Sequence, residues 1–411
     1  MDSIKVPARH DERLTLPTNQ SIASAYRWVI LLLCWGALLF TFVDRLAWGS
    51  VAASVGSSLG LPVGALGVFV TAFYAGYVLS NVAGGVVVDL FGPRRIIALS
   101  LLLLGVCTFL FGHTTSVAYG LATQGLMGLV SGCDYAACVK LITAWFDLKH
   151  RGRAMGLMMT ATSLAVVITN AIVPKMLAAT GWSQIYALLG IATSIFAMLC
   201  FVILRDGSIV QLGNRQRLNL KKLLGNRNLA LLALAGFGGM WGTWGFVFWG
   251  NALMTKRYGI SPTHAGFVMV LVGIGAVVSK PIIGLLSDWM GGRRKALISA
   301  CFCGFSILLL VFGMLERESQ FHLIAPLLGI AAFAWSPLIA LMIAETAGIS
   351  LSGSATGVTN GIWQLANVAV PLVVGTVFQF THSFPIAFGT LAAGPLLAAG
   401  CMCFVNEAVR T

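Results

Sequence analysis

Twelve stretches of roughly twenty or more predominantly apolar residues follow one another along this chain, and a transmembrane helix needs about 20. The first six run roughly over 27–55, 63–88, 95–112, 116–145, 153–178 and 182–204; the second six run over 228–254, 262–287, 295–314, 320–347, 354–380 and 383–405. One buried core cannot absorb that much apolar sequence, but a bilayer can. Only 9% of the 411 residues are charged, against about 25% in soluble domains, and mean hydropathy is +0.90. The pattern predicts an all-α membrane protein of twelve transmembrane helices.

The twelve divide into two sixes. Residues 205–228, RDGSIVQLGNRQRLNLKKLLGNRN, form the longest polar stretch inside the chain and carry six Lys and Arg. The expected organisation is a tail over 1–25, a six-helix bundle over 26–204, a linker over 205–227, a second bundle over 228–406 and a short tail over 407–411. The N-terminal MDSIKVPARHDERLTLPTNQSIAS is polar with mixed charge. It lacks the order of basic start, apolar core and small-residue cleavage site of a removable signal, so the first span is expected to direct insertion.

Net charge is +13, which in a soluble chain would raise nucleic acid as a partner. Here the charge lies in short gaps between spans. With the N-terminus in the cytoplasm, nineteen of the 26 Lys and Arg fall on the cytoplasmic side, and Lys175, Lys256, Arg257 and Arg317 fall opposite. The remaining three, Arg45, Lys140 and Lys280, fall within apolar runs. The excess of positive charge predicts cytoplasmic termini and a multi-pass protein of the cell inner membrane. The nine cysteines sit almost wholly in apolar runs, and neither Cys301/Cys303 nor Cys401/Cys403 has a histidine or carboxylate beside it. Membrane packing explains them better than metal binding. No nucleophile–base pair, zinc-spaced histidines or phosphate loop marks an enzyme, and no cofactor or metal is expected.

The halves repeat. After the second span comes GVVVDLFGPRR (85–95), and after the eighth comes GLLSDWMGGRR (284–294). Gly85, Asp89, Gly92, Arg94 and Arg95 stand 199 residues before Gly284, Asp288, Gly291, Arg293 and Arg294, and an internal repeat of half a chain is a transporter architecture. Between the fourth and fifth spans lies WFDLKHRGRAMG (145–156), with ETAGISLSGSATG (345–357) as its counterpart. On these motifs residues 26–406 resemble the major facilitator superfamily, and the first of the two runs is similar to that of its anion:cation symporters.

The resemblance implies two pseudo-symmetric six-helix bundles that rock around a central site. It places Asp89 near the start of span 11 and Asp288 near the start of span 5. Together with the glycines and arginines of the two loops, with Arg151 and with Glu345, these would form a cytoplasmic gate. A carboxylate facing a helix N-terminus, with arginines beside it, makes a contact that forms and breaks as the halves move. The plainer alternative is that these charges only fix topology.

Charges within the membrane usually face a bundle interior and mark substrate or ion paths. Lys280 lies in VVSKPIIGLLSD, eight residues before Asp288 and so about 12 Å deeper along a helix. Ala276 and Gly284 lie one turn either side. The K-P-x-x-G run resembles the R-P-x-x-G of monocarboxylate carriers, where the cation binds the substrate carboxylate. With Lys in place of Arg the bidentate fork becomes a point charge. That family's aspartate one turn earlier is Ala276 here, so proton coupling needs another acid. The alternative for Lys280 is a structural ion pair, and Pro281 is expected to loosen the helix.

Asp44 and Arg45 fall in FTFVDRLAWGS, and adjacent helical residues point about 100° apart, so they need not pair. An Asp-Arg pair here resembles the anion:cation symporters, in which the arginine contacts the anion and the aspartate takes part in proton coupling. The alternative is an interfacial pair, since Arg45 stands about 25 Å along the helix from Trp28. Asp134 lies in span 4, and a carboxylate withdrawn from water favours its neutral form, which suits a proton carrier. The symporters' coupling glutamate falls one turn away, at Ser131. A structural pairing of Asp134 with Arg45 or Lys140 stays open, and Lys140 itself is a candidate anion contact. Tyr74, Tyr77 and Asn81 share a face of span 2, Asn81 is the repeat equivalent of Lys280, and Asn360, Gln364 and Asn367 form a stripe on span 11. These are candidate lining residues, although such stripes also serve as helix–helix glue.

The expected function is proton-coupled symport of a small mono- or dicarboxylate. Lys280 and Arg45 would bind the anion, and Asp134 or Asp44 would carry the proton. The expected partners are that anion, protons and the lipid bilayer, with the carrier a monomer. Exchange of organic anions or organophosphates is the first alternative. Export of drugs or lipids is the second, and the G-x-x-x-G-P-x-x-G-G motif of drug antiporters is missing from span 5.

Overall fold

In the computed structural model, residues 18–61, 66–206, 225–260, 262–348 and 351–407 are described. Most of the two tails and of the linker lies outside them. The described chain is twelve helices: α1 (Thr18–Ser58), α2 (Gly67–Phe91), α3 (Pro93–Phe111), α4 (Val117–Trp145), α5 (Arg151–Thr180), α6 (Trp182–Ile203), α7 (Arg227–Tyr258), α8 (Pro262–Trp289), α9 (Lys295–Met314), α10 (Glu318–Ala347), α11 (Ser352–Thr381) and α12 (Phe384–Phe404). Eleven are long and apolar enough to cross a membrane, and α2 makes the twelfth when its two segments, which meet at a 45° bend between Asn81 and Ala83, are read as one span. Outward-facing side chains such as Leu32, Ile195, Leu323 and Phe380 are exposed and apolar, a surface that suits lipid and not water.

Local sequence sets the helix ends. Gly92, at φ +88°, turns the chain between α2 and α3, and Pro93 then opens α3, where its missing N–H costs nothing. Ser116 accepts the Tyr119 amide at the start of α4, and Asn226 accepts those of Asn228 and Leu229 at the start of α7. Each satisfies donors that a helix start leaves bare. The helix α8 runs through Pro281 without ending. The bend falls instead in α2, beside Asn81, the repeat counterpart of Lys280.

Helices α1–α6 bury clusters around Leu101, Ile142 and Met155 and around Phe69, Phe111 and Tyr186. Helices α7–α12 bury clusters around Phe246, Phe312 and Phe388 and around Phe302, Trp335 and Met402. The two sets meet chiefly along α2 with α11 and along α5 with α8. Both seams are closed by glycine. A Cβ on Gly85 would strike the Gly353 carbonyl, and one on Gly284 that of Gly152. A turn further on, a Cβ on Gly357 would strike the Asn81 carbonyl and one on Gly156 that of Lys280. Small residues let backbones approach where there is little hydrophobic drive between helices.

Candidate functional site

The seams lead to the two repeated loops at one end of the bundle, called here the basic end. Asp89 accepts the amides of Gly353 at 3.1 Å and Ser354 at 2.7 Å, at the start of α11. Asp288 accepts those of Gly152 at 3.0 Å and Arg153 at 2.9 Å, at the start of α5. Each carboxylate thus meets orphan donors and the positive end of a helix dipole. Lys140 lies 2.6 Å from Asp89, so its ammonium joins the basic-end contact and not the central cavity. Glu345 bridges the halves at the other seam, with Arg294 bonded to one oxygen and Arg151 3.7 Å from the other. Arg94 donates its amide to Asp206 at 3.0 Å, and Arg95 and Arg293 are exposed. Glu407 plays the part of Asp206 in the second half, accepting the amides of Arg294 and, at 3.2 Å, Lys295. Gly291, at φ +69°, turns the chain after α8. A polar cavity of about 470 Å³ at this end is lined by Arg151, Arg294, Glu345 and Glu407 among others.

Deeper, between the halves, lies a cavity of about 60 Å³. Arg45 of α1 and Lys280 of α8 both line it, with Tyr77, Thr243, Ser336, Asn360 and Gln364 as polar walls and Trp244, Trp335 and Trp363 as aromatic ones. No carboxylate is among its described lining residues. Tyr74, Asn81 and Asn367 stand behind the wall. Arg45 donates to the Tyr74 hydroxyl and is ringed by aromatic groups. Its guanidinium carbon is 4.6 Å from the centroid of Tyr74, 5.1 Å from Tyr77, 5.4 Å from Phe42, 5.7 Å from Phe73 and 5.5 Å from Trp244 of the other half. Ring faces stabilise a cation withdrawn from water.

Lys280 is 1% exposed and donates to three groups of α5: the Met159 carbonyl at 2.8 Å, the Thr162 hydroxyl at 2.7 Å and the Ser163 hydroxyl at 2.8 Å. An ammonium has three N–H donors, so all are used. At the repeat-equivalent point Asn360 donates to Asn81, which donates to the Tyr77 carbonyl at 2.7 Å. Gln364 donates to Asn360 at 3.2 Å, and Asn367 to Gln364 at 2.6 Å. The stripe on α11 is therefore one side-chain chain that ends on α2.

The two intramembrane aspartates point elsewhere. Asp44 turns away from Arg45 and accepts from Thr108 at 3.2 Å and Thr193 at 2.9 Å, on α3 and α6. Asp134 accepts from Thr41 at 2.7 Å. Neither pairs with Arg45, Lys140 or Lys280 among the described contacts. In both, Oδ1 is buried with no hydrogen-bond partner. Sequence reasoning missed Thr162 and Ser163, although adjacent hydroxyl residues in the apolar GLMMTATSLAVV were a visible signal. It had no signal at all for the Met159 carbonyl.

The sequence model of the Major Facilitator Superfamily matches residues 33–371. The chain belongs to this superfamily. Its members are transporters and not enzymes, and the chain is a multi-pass membrane protein. A protein named a probable galactarate/D-glucarate transporter of Escherichia coli strain K12 is 23% identical, over 92% of this chain and 94% of its own length. A D-galactonate transporter of an Escherichia coli O6:H1 strain is 22% identical, over 94% and 97%. A probable sulfoacetate transporter of Cupriavidus necator is 23% identical, over 89% and 90%. Among solved structures, the proton:xylose symporter aligns with a TM-score of 0.74 at 16% identity, over 94% of this chain and 97% of its own. The human organic anion transporter MFSD10 aligns at 0.72 and 17%, over 94% and 100%. At such identities the superfamily fold is the shared feature.

Proposed function

We propose that this chain is a secondary active transporter of a small, hydroxylated organic anion of the sugar-acid kind, working by alternating access and driven by protons. One observation carries the reading: the cavity between the halves holds a cation from each half and, among the described residues, has no carboxylate in its wall. An anion there gains a charge-assisted partner whichever half it reaches first. The amides of Asn360 and Gln364 and the hydroxyls of Thr243 and Ser336 offer donors and acceptors to a polyol chain. The names of the relatives, galactarate, D-glucarate and D-galactonate transporters, support the same class of cargo.

In this reading the bundles 26–204 and 228–406 rock about the α2–α11 and α5–α8 seams. The basic end faces the cytoplasm of a cell whose inner membrane holds the carrier. Asp44, with one oxygen held by the hydroxyls of Thr108 and Thr193, and Asp134, with one held by that of Thr41, carry the proton in this reading.

Exchange of anions is the second reading, and one observation favours it: neither aspartate touches Arg45 or Lys280. Uptake of labelled D-glucarate, galactarate and D-galactonate into proteoliposomes separates the two. Accumulation that needs an inward proton gradient supports symport. Uptake that ignores the gradient and needs an anion inside the vesicle supports exchange, and uptake of none of the three overturns the sugar-acid reading.

A further inference from the structure

Lys280 holds the two halves together with the same three N–H bonds that an anion in the cavity would need. Its acceptors, the Met159 carbonyl and the hydroxyls of Thr162 and Ser163, all belong to α5 of the opposite half. None is charged, and no carboxylate lies in the wall among the described residues. The bonds sit at the inner end of a seam that is closed all the way to the basic end, through Gly156 beneath the Lys280 carbonyl, Gly284 against Gly152, and Asp288 on the start of α5. The other seam has no such device. At the equivalent point the neutral amides of Asn81 and Asn360 meet, and an amide has less to gain from an anion than an ammonium has.

We infer that Thr162 and Ser163 are positioning residues that keep Lys280 off the anion, so that binding the anion releases the α5–α8 seam. This rests on the anion reading above. An arriving carboxylate competes with two hydroxyls and a carbonyl for one ammonium. A full negative charge attracts an ammonium more strongly than the dipole of a hydroxyl or carbonyl does, so the anion wins Lys280. Each bond it takes is one the halves lose. The cation therefore acts alternately as a latch in the closed-seam state and as a ligand in the loaded state. A ligand shifts an equilibrium only through its differential affinity for the two states, and the exchange of partners at Lys280 supplies that difference. Arg45 makes its hydrogen bond within its own half, to Tyr74, and reaches the other half only through the ring of Trp244.

The test uses the full chain in lipid nanodiscs and two variants, Thr162→Val/Ser163→Ala and Lys280→Met. Hydrogen exchange of the peptides covering 151–163 and 284–294 is measured without any anion, and D-galactonate and D-glucarate binding is measured separately. Both variants are expected to speed exchange at these peptides by roughly tenfold, the factor for about 1.4 kcal/mol. Their affinities are expected to move in opposite directions: about tenfold tighter for the hydroxyl variant, as a binding tax is lifted, and lost for Lys280→Met. Thr160→Val, which removes an α5 hydroxyl bonded to Leu157 and Trp35 instead, serves as a control and should change neither readout. Parent-like exchange in both variants overturns the latch, whatever the anion does. So does weaker binding in the hydroxyl variant, which would make Thr162 and Ser163 direct ligands. If neither sugar acid binds the parent while both variants speed exchange, the latch stands and the sugar-acid reading falls.

Discussion

Asp288 holds the Arg153 amide at 2.9 Å across the boundary between the halves, and 199 residues earlier Asp89 holds the Ser354 amide at 2.7 Å in the same way. The two contacts differ in one respect. Asp89 also neutralises Lys140, which is 3% exposed, whereas Asp288 is flanked by backbone amides.

That difference predicts unequal losses. Asp288→Asn removes a helix-terminus carboxylate and should cost about 1–2 kcal/mol. Asp89→Asn also strands a buried cation and should cost about 3–5 kcal/mol. Thermal unfolding of the purified variants checks this. Adding Lys140→Met to Asp89→Asn should recover most of the larger loss, and equal losses from the two single variants would contradict the assignment of Lys140 to Asp89.

The glycine seams give a steric prediction. Gly357→Val would drive a side chain into the Asn81 carbonyl, and Gly156→Val into that of Lys280. Overpacking of this kind costs about 1–3 kcal/mol, and here it is paid only when the seam closes. Transport should fall by about tenfold or more while expression is retained. Gly304→Ala meets nothing within 4 Å and should leave uptake unchanged.

Arg45 lies among five rings and bonds one hydroxyl. Arg45→Lys keeps the charge but loses the planar group that stacks on them. Initial-rate kinetics with D-galactonate should show KM raised several-fold, since the lysine keeps a cation over the rings but loses the stacked fork. Trp244→Ala removes one ring and should raise KM by a few-fold only.

For the aspartates the expected split is between accumulation and exchange. Asp134→Asn and Asp44→Asn each keep a hydrogen-bonding group where Thr41, or Thr108 and Thr193, now donate. The variant at the proton site should exchange labelled anion across the membrane at near-normal rate yet fail to concentrate it under a proton gradient. If both variants still accumulate, neither residue carries the proton.

The fold was legible because its signal is local and repeated. Twelve apolar runs fix the number of spans, and the 199-residue offset between GVVVDLFGPRR and GLLSDWMGGRR announces two halves. The candidate site was legible in residue types but not in contacts. A lysine within an apolar run stands out, whereas its acceptors are a backbone carbonyl, which no residue type reveals, and two hydroxyls on a helix 117 residues or more away in sequence. Lys140 shows the same limit: depth in an apolar run marks it as buried, and only the packing of α4 on α2 selects Asp89 as its partner. The matched pair Asp206 and Glu407 could have been found by sliding one half over the other. A polar residue just past a last span, however, reads as an ordinary loop.

The bend in α2 has no counterpart in α8, so the twofold likeness of the halves fails at one joint. A bent helix and an unbroken one give their two seams unlike shapes. Any flexing of one seam is then unlike flexing of the other, because only the α2 side carries a bend beside its amide pair across the halves.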